Sequence, residues 1–227
     1  MSFTDGKAFG PDVSHWSPVK DWAALAASGA TFFGAKAAEG AYTIDPTFAA
    51  HRDGFRARPE FALGVWYHFF DVKKDPCVQA DLFAHAVGKL APRERLCLDF
   101  ESKSYANVDS AVLRAHGLSY LEAFFRELDD IGIAAGTRPL LYTTAEAWAA
   151  IGNPTWDRAS EIDLWVPRYH NPPMPPTALP EPWRTWNVWQ FTDNLTGMHF
   201  PVPGCGPCDV NVVAGPNQCD EAHPENG

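Results

Sequence analysis

No run of 18 apolar residues occurs anywhere in the 227-residue chain, which excludes a membrane-spanning helix on length alone. A basic face is missing too. The net charge of −10 has the wrong sign for a nucleic-acid binder and gives no general pull toward an anionic membrane. Met1 to Lys7 lack the charged-then-apolar order of a signal peptide. No internal repeat is present, and the stretch after residue 215 is too short and polar to fold alone. Cysteine is sparse and odd in number: Cys77, Cys97, Cys205, Cys208 and Cys219 leave at least one thiol outside any intramolecular pairing. The spacing Cys205-x2-Cys208-x10-Cys219-x3-His223 offers four ligands but follows no established zinc order. The expectation is therefore no metal, with either a disulfide among Cys205, Cys208 and Cys219 or free thiols. Cys97, inside an apolar run, reads as a small buried hydrophobe.

What the chain has is enough apolar and aromatic mass, with 9 Trp, 15 Phe and 6 Tyr, for one large α/β core. Strand-like and helix-like segments alternate. Strands are expected at 9–13, 31–37, 61–69, a run ending at Asp99 and Glu101, 139–142, 163–166, 187–191 and 210–213. Helices are expected at 21–28, 46–57, 76–90, 109–131 and 145–150. Val78, Leu82, Phe83, Ala86 and Val87 form the expected apolar stripe of the third helix. The link between residues 166 and 187 is proline-rich and leaves no room for a helix. Such alternation gives a mostly parallel sheet with crossover helices. About eight strands with about five helices give an α/β fold in a single domain, a barrel whose second half is stripped of helices.

The segment Arg95-Leu96-Cys97-Leu98-Asp99-Phe100-Glu101 ends in two acids one residue apart. Side chains alternate along a strand, so both acids face the same way, roughly 6–7 Å apart. Acids at the C-terminal ends of barrel strands sit where such folds hold their active sites. Asp12, Asp99, Glu101 and Asp209 all fall beside strand ends, and a closed barrel brings them to one rim. Desolvation and like-charge repulsion then raise at least one pKa, as general-acid chemistry requires. Paired carboxylates serve glycoside hydrolysis, but the expected spacing lies between the retaining (about 5–5.5 Å) and inverting (about 6.5–9.5 Å) ranges and does not choose between them.

The pieces Gly10-Pro11-Asp12-Val13-Ser14, Lys36-Ala37-Ala38-Glu39-Gly40, Gly64-Val65-Trp66-Tyr67-His68-Phe69, Leu98-Asp99-Phe100-Glu101, Leu164-Trp165-Val166-Pro167-Arg168-Tyr169, Val188-Trp189-Gln190-Phe191 and Cys208-Asp209-Val210-Asn211 occur in one order across residues 10–213. In that order they resemble the glycoside hydrolase family 25 lysozymes, the Chalaropsis-type N-acetylmuramidases. The resemblance implies a flattened single-domain (β/α) barrel with eight strands and about five helices, a muramidase catalytic domain at 8–214 followed by a polar C-terminal tail at 215–227. It implies cleavage of the β-1,4 bond between N-acetylmuramic acid and N-acetylglucosamine in peptidoglycan, with no cofactor.

By match to the Asp-x-Glu motif, Glu101 is implied as general acid/base. Asp99 is implied as nucleophile or as the group orienting the substrate's 2-acetamido arm, with Asp12 and Asp209 completing the acidic cleft or capping strand-end turns. Tyr67, Tyr142, Trp165, Tyr169 and Trp189 are either sugar platforms or core. Gln190 is a candidate hydrogen-bonding group for a sugar, and Lys36 a partner for a cleft acid or a muramic carboxylate. His68 either holds Asp99 or Glu101 or is satisfied by backbone. Trp16 stands where relatives often carry Gln or His. The expected partner is a peptidoglycan strand, with no nucleic acid and no membrane, and the expected state is a monomer. The expected setting is a protein made in the cytoplasm and reaching the wall at phage lysis or from a virion. The alternatives are a barrel that binds glycan without cutting it and a chitinase-like hydrolase.

Overall fold

The computed structural model describes residue 4, residues 6–134 and residues 136–215. Cys219, His223 and almost all of the expected tail lie outside the described residues. In chain order the elements are β1 (Phe9–Val13), α1 (Trp22–Ala27), β2 (Phe32–Glu39), β3 (Thr43–Ile44), α2 (Phe48–Arg56), β4 (Leu63–Phe69), α3 (Pro76–Val87), β5 (Glu94–Phe100), α4 (Ser110–Ile131), β6 (Leu140–Thr143), α5 (Ala145–Ala150), β7 (Asp163–Pro167), β8 (Val188–Thr192) and β9 (Asp209–Val213). Short 3-10 turns cover Ser102–Tyr105 and Asp157–Glu161.

Local chemistry sets the helix ends. The carboxylates of Asp21, Asp75 and Asp109 accept backbone N–H bonds at the starts of α1, α3 and α4, filling donors that a helix start leaves open. Pro76 occupies the first turn of α3, where its missing N–H costs nothing. Gly88 and Gly132, both at positive φ, stop α3 and α4. The stop at Gly88 makes α3 shorter than the expected 76–90. Its buried face also differs from the expected stripe: Gln79, Ala80, Phe83, Ala84 and Val87 are buried, while Val78 is exposed.

Seven strands run parallel in the order β1-β2-β4-β5-β6-β7-β8. The eighth, β9, is antiparallel to both β8 and β1 and closes the barrel between them. The two-residue β3, absent from the sequence-based expectation, adds only an antiparallel flap on β2. No helix separates β7 from β8 or β8 from β9. Among the described residues, no helix is long and apolar enough to cross a membrane.

Two cores result. Phe32, Val65, Cys97, Leu140, Trp165 and Val188 fill the barrel interior. A larger layer packs the outer face of the strands against the helices, and Trp66 is fully buried there against Phe48 and Phe55, with ring centroids 5.5 and 5.3 Å away. Trp66→Ala is expected to cost about 3–5 kcal/mol. Urea unfolding followed by fluorescence and circular dichroism checks this.

Candidate functional site

The two cores sort the candidate residues by strand parity. On β4, Tyr67 packs with the interior cluster, so its neighbours Trp66 and His68 point outward. On β8, Val188 lies inside, which puts Gln190 inside and Trp189 outside. Two expectations are corrected by this. His68 does not reach the acids: it is fully buried between β4 and the helices, its ring against Phe83 and Phe124 and its Nε2 3.2 Å from Gln79 Oε1. Burial lowers its pKa to about 3, so it stays neutral at ordinary pH. Trp189 is no sugar platform: it belongs to the outer core and its indole N–H donates to the Arg168 carbonyl at 3.0 Å.

The other candidates meet in one cleft of about 710 Å³ at the rim where the parallel strands end. Asp12, Lys36, Tyr67, Asp99, Glu101, Tyr142, Trp165, Tyr169, Gln190 and Asp209 line it, joined by Ser14, Trp16, Glu39, Phe69, Lys103 and Asp193. Asp99 is in β5, whereas Glu101 lies just past its end and opens the following turn. Its backbone is still extended, at φ −131° and ψ −176°, so the strand alternation carries over and both acids face the cleft. The Ser104 hydroxyl accepts the Glu101 N–H at 3.1 Å and holds this turn.

Asp209 reaches the same rim for a different reason. It begins β9, and β9 is antiparallel, so its first residue lies level with the last residues of its neighbours. Asp209 pairs in register with Asp12, two acids 197 positions apart in sequence. Glycine makes room for this: Gly34 lies beside Asp12 on β2, and a Cβ there would stand 2.6 Å from the Asp12 Cβ.

Gln190 is the hub of the cleft floor. Its Nε2 donates to Asp12 Oδ2 at 3.0 Å and to Asp209 Oδ2 at 3.2 Å. Its Oε1 accepts from Tyr142 at 2.8 Å and from the Tyr169 hydroxyl. Both ends of the amide are thus occupied and the side chain is buried, so in this structure Gln190, expected as a hydrogen-bonding group for a sugar, holds the neighbouring acids and tyrosines in place. Asn211, given no role by the sequence, does the same. Its Nδ2 donates to Asp12 Oδ2 at 2.6 Å, and its Oδ1 accepts the Trp165 indole N–H at 2.9 Å. The signal for it was present in the strand period: Asn211 is two residues after Asp209 and is a polar residue among valines. Trp165, 1% exposed, is the floor of the cleft. Trp16, 83% exposed, stands on its wall against His15, ring centroids 4.4 Å apart. Lys36 pairs with Glu39 and lies 5.1 Å from the Phe69 ring centre.

Burial dominates the electrostatics. Asp99 is raised well above the carboxylate range, first by desolvation and then by the charge of Glu101. One of its oxygens is buried without a hydrogen-bond partner. Asp209 is pushed up to about 8 by desolvation and then by Asp12. Asp12 is raised by desolvation, against the opposing hydrogen bonds from Asn211 and Gln190. Repulsion, expected to share the cause, is secondary.

The raised Asp209 has a consequence for stability. The folded state keeps its proton up to about pH 8, whereas the unfolded chain loses it near 4. Between these values the native state binds more protons, so stability falls as pH rises. Asp209→Asn is expected to reduce that slope between pH 4 and 8, the raised Asp12 and Asp99 contributing the rest, and to be more stable than wild type at pH 8, as measured by urea midpoints at a series of pH values. An unchanged slope would sink this account.

Among the described residues, no three His, Cys, Asp or Glu side chains are grouped to hold a metal ion, and Cys205 and Cys208 are free thiols.

Comparison with known proteins adds to the geometry. The model of Glycosyl hydrolases family 25 matches residues 11–198. Lysozyme M1 of Streptomyces globisporus is 25% identical over 189 residues; the match covers 81% of this chain, and the chain spans 61% of that relative's length. A muramidase from Acremonium alcalophilum shares the fold with a TM-score of 0.75 and 26% identity, over 92% of this chain and 94% of that one. A bacterial lysozyme from Streptomyces coelicolor does so with a TM-score of 0.76 and 24% identity, over 92% and 93%.

Proposed function

The chain belongs to glycosyl hydrolases family 25, and on that premise we propose that it is a muramidase, cutting the β-1,4 bond between N-acetylmuramic acid and N-acetylglucosamine in the glycan strands of the cell wall. The observation that carries this reading is the convergence of Asp12, Asp99, Glu101 and Asp209, from the ends of three strands, β1, β5 and β9, on one open cleft. The relatives named lysozyme and muramidase support the substrate class.

In this reading Glu101 is the general acid/base. Burial, and then the neighbouring charge of Glu101, favour the protonated form of Asp99 in the free cleft. When the substrate's acetamido N–H donates to Asp99, the ionised form of Asp99 is favoured. The proton that Asp99 gives up passes to Glu101, which delivers it to the departing glycosidic oxygen. The acetamido carbonyl oxygen attacks the anomeric carbon as the glycosidic bond breaks. Water, giving its proton to Glu101, then opens the cyclic intermediate with overall retention. Asp12 and Asp209, fixed by Gln190 and Asn211, line the floor beneath the sugar ring, and Asp209, protonated up to about pH 8, offers it a hydrogen-bond donor. Trp16, Tyr67 and Tyr169 offer faces and hydroxyls to neighbouring sugars, and Lys36 and Lys103 suit the muramic or peptide carboxylates.

The test is product analysis. Purified peptidoglycan treated with the protein should yield new reducing ends that are N-acetylmuramic acid by mass, while chitin under the same conditions should yield none. N-acetylglucosamine at the new reducing ends, or faster release from chitin, would replace the muramidase reading with the chitinase-like one. Binding to peptidoglycan without any release would leave a glycan-binding barrel.

A further inference from the structure

The turn Cys205-Gly206-Pro207-Cys208 leads directly into β9 and Asp209, and the muramidase chemistry makes no use of it. Its two cysteines are unlike each other. Cys205 is half-buried and reaches solvent, whereas Cys208 is buried in the outer core. Each thiol is near enough to influence the other's ionisation. The backbone around them is pinned: the Cys205 N–H donates to the Val202 carbonyl at 3.1 Å, the Gly204 carbonyl accepts from Lys20 and Asp21 at 2.8 and 3.0 Å, and Cys205 forms a single antiparallel bridge with Val19. Lys20 Nζ lies 3.8 Å from where a Cβ on Gly206 would stand, bringing a cation to the turn.

We propose that Cys205 and Cys208 form a reversible dithiol–disulfide centre, oxidised by small soluble disulfides, whose state sets the position of Asp209 at the cleft. Two cysteines separated by two residues, one accessible and one buried, with a cation nearby, is the arrangement that makes the first thiol reactive and the second its resolving partner. The neighbouring Cys208 lowers the pKa of Cys205, while Cys205 and burial raise Cys208, in keeping with this division.

The chemistry is two thiol–disulfide exchanges. The Cys205 thiolate attacks one sulfur of R–S–S–R, the S–S bond breaks, and RS⁻ leaves with its electron pair, giving Cys205–S–S–R. The Cys208 thiol then passes its proton to the released RS⁻ and attacks the Cys205 sulfur, expelling the second RS⁻, which takes up a proton from water. One protein disulfide and two RSH result; the protein dithiol loses two electrons and the small disulfide gains them.

The coupling to the cleft is short. The Cys208 carbonyl accepts from Asn194 Nδ2 at 2.6 Å, and the next residue is Asp209, whose carboxylate is held by Gln190. Drawing Cys208 into a bond with Cys205 pulls on the first residue of β9 and so on one of the four acids.

The experiment uses the full chain as wild type, Cys205→Ser and Cys219→Ser, each treated with oxidised glutathione, then mapped by peptide mass, and assayed before and after dithiothreitol. The expected result is a Cys205–Cys208 crosslinked peptide in wild type and Cys219→Ser and none in Cys205→Ser. On oxidation, hydrolysis of peptidoglycan should fall roughly tenfold, the scale of a small displacement in a catalytic constellation, and return on reduction, with Cys205→Ser active and indifferent to both reagents. Glutathione adducts without the crosslink, or a disulfide that needs Cys219, would overturn the centre. A crosslink that leaves the rate unchanged would overturn its coupling to Asp209. The mapping does not depend on the muramidase reading: if that reading fails, the reduced protein is inactive while the crosslink still forms.

Discussion

Glu101→Gln is expected to lower kcat on peptidoglycan by about 10²–10⁴-fold, the range for losing a positioned general acid, while glycan binding and folding stay near wild type. The substitution keeps the shape and most hydrogen-bonding capacity of the side chain but cannot deliver a proton. Structure supports a clean result. The turn at Glu101 is held by its own backbone N–H on Ser104, so the side chain can change while the backbone stays. Asp99→Asn gives the companion measurement. An amide there cannot become the anion that orients the acetamido arm, so kcat should again fall, and substrates lacking the acetamido group should lose little further. Glu101→Gln retaining more than about a tenth of wild-type kcat would remove Glu101 from the acid role.

Gln190→Leu carries the second large effect, through a residue that touches no reacting atom. Leucine approximates the volume of glutamine but has no donor or acceptor. Asp12 and Asp209 lose a shared donor, and the Tyr142 and Tyr169 hydroxyls lose their common acceptor. Each buried group left without a partner costs about 1–3 kcal/mol, so the urea midpoint should fall clearly. Activity should fall by about 10²-fold because the acids drift from their places. Gln190→Glu separates positioning from charge. It keeps a group for the tyrosines but sets a third carboxyl against Asp12 and Asp209, so its defect should lessen as pH is lowered. If Gln190→Leu changes neither stability nor rate, the clamp is not holding the site.

Where sequence and structure part company, barrel geometry is the reason. Asp99 and Glu101 were legible because a period of two through an apolar strand needs no knowledge of neighbours. Asp12 was legible because it ends a short strand near the start of the chain. His68 and Trp189 were not, because a parallel strand is buried on both faces: Trp66-Tyr67-His68-Phe69 and Val188-Trp189-Gln190-Phe191 show no polar side from which inside and outside could be told. Only the register, with Tyr67 opposite Cys97 and Phe69 opposite Asp99, decides which parity enters the barrel. The role of Gln190 as a clamp needed four partners drawn from β1, β6, β9 and the segment after β7, and no local pattern contains them. Asp209 was picked out correctly as a rim acid, but why it reaches the rim follows from the reversal of β9, which five residues cannot reveal.

That reversal also sets a clock. A barrel of parallel staves could be laid down in chain order, each strand docking on the one before it. Here the gap between β8 and β1 is filled by the last barrel strand in chain order among the described residues, and this strand brings Asp209 and Asn211 with it. Until residues 209–213 dock, Asp12 lacks the Asn211 amide and Gln190 has only part of its load. The site therefore comes into being in a single late event that joins the first and last strands of the barrel, a contact of very long sequence separation and correspondingly slow formation. A growing chain can build most of the scaffold while holding no working cleft, so hydrolytic competence begins only with the finished fold.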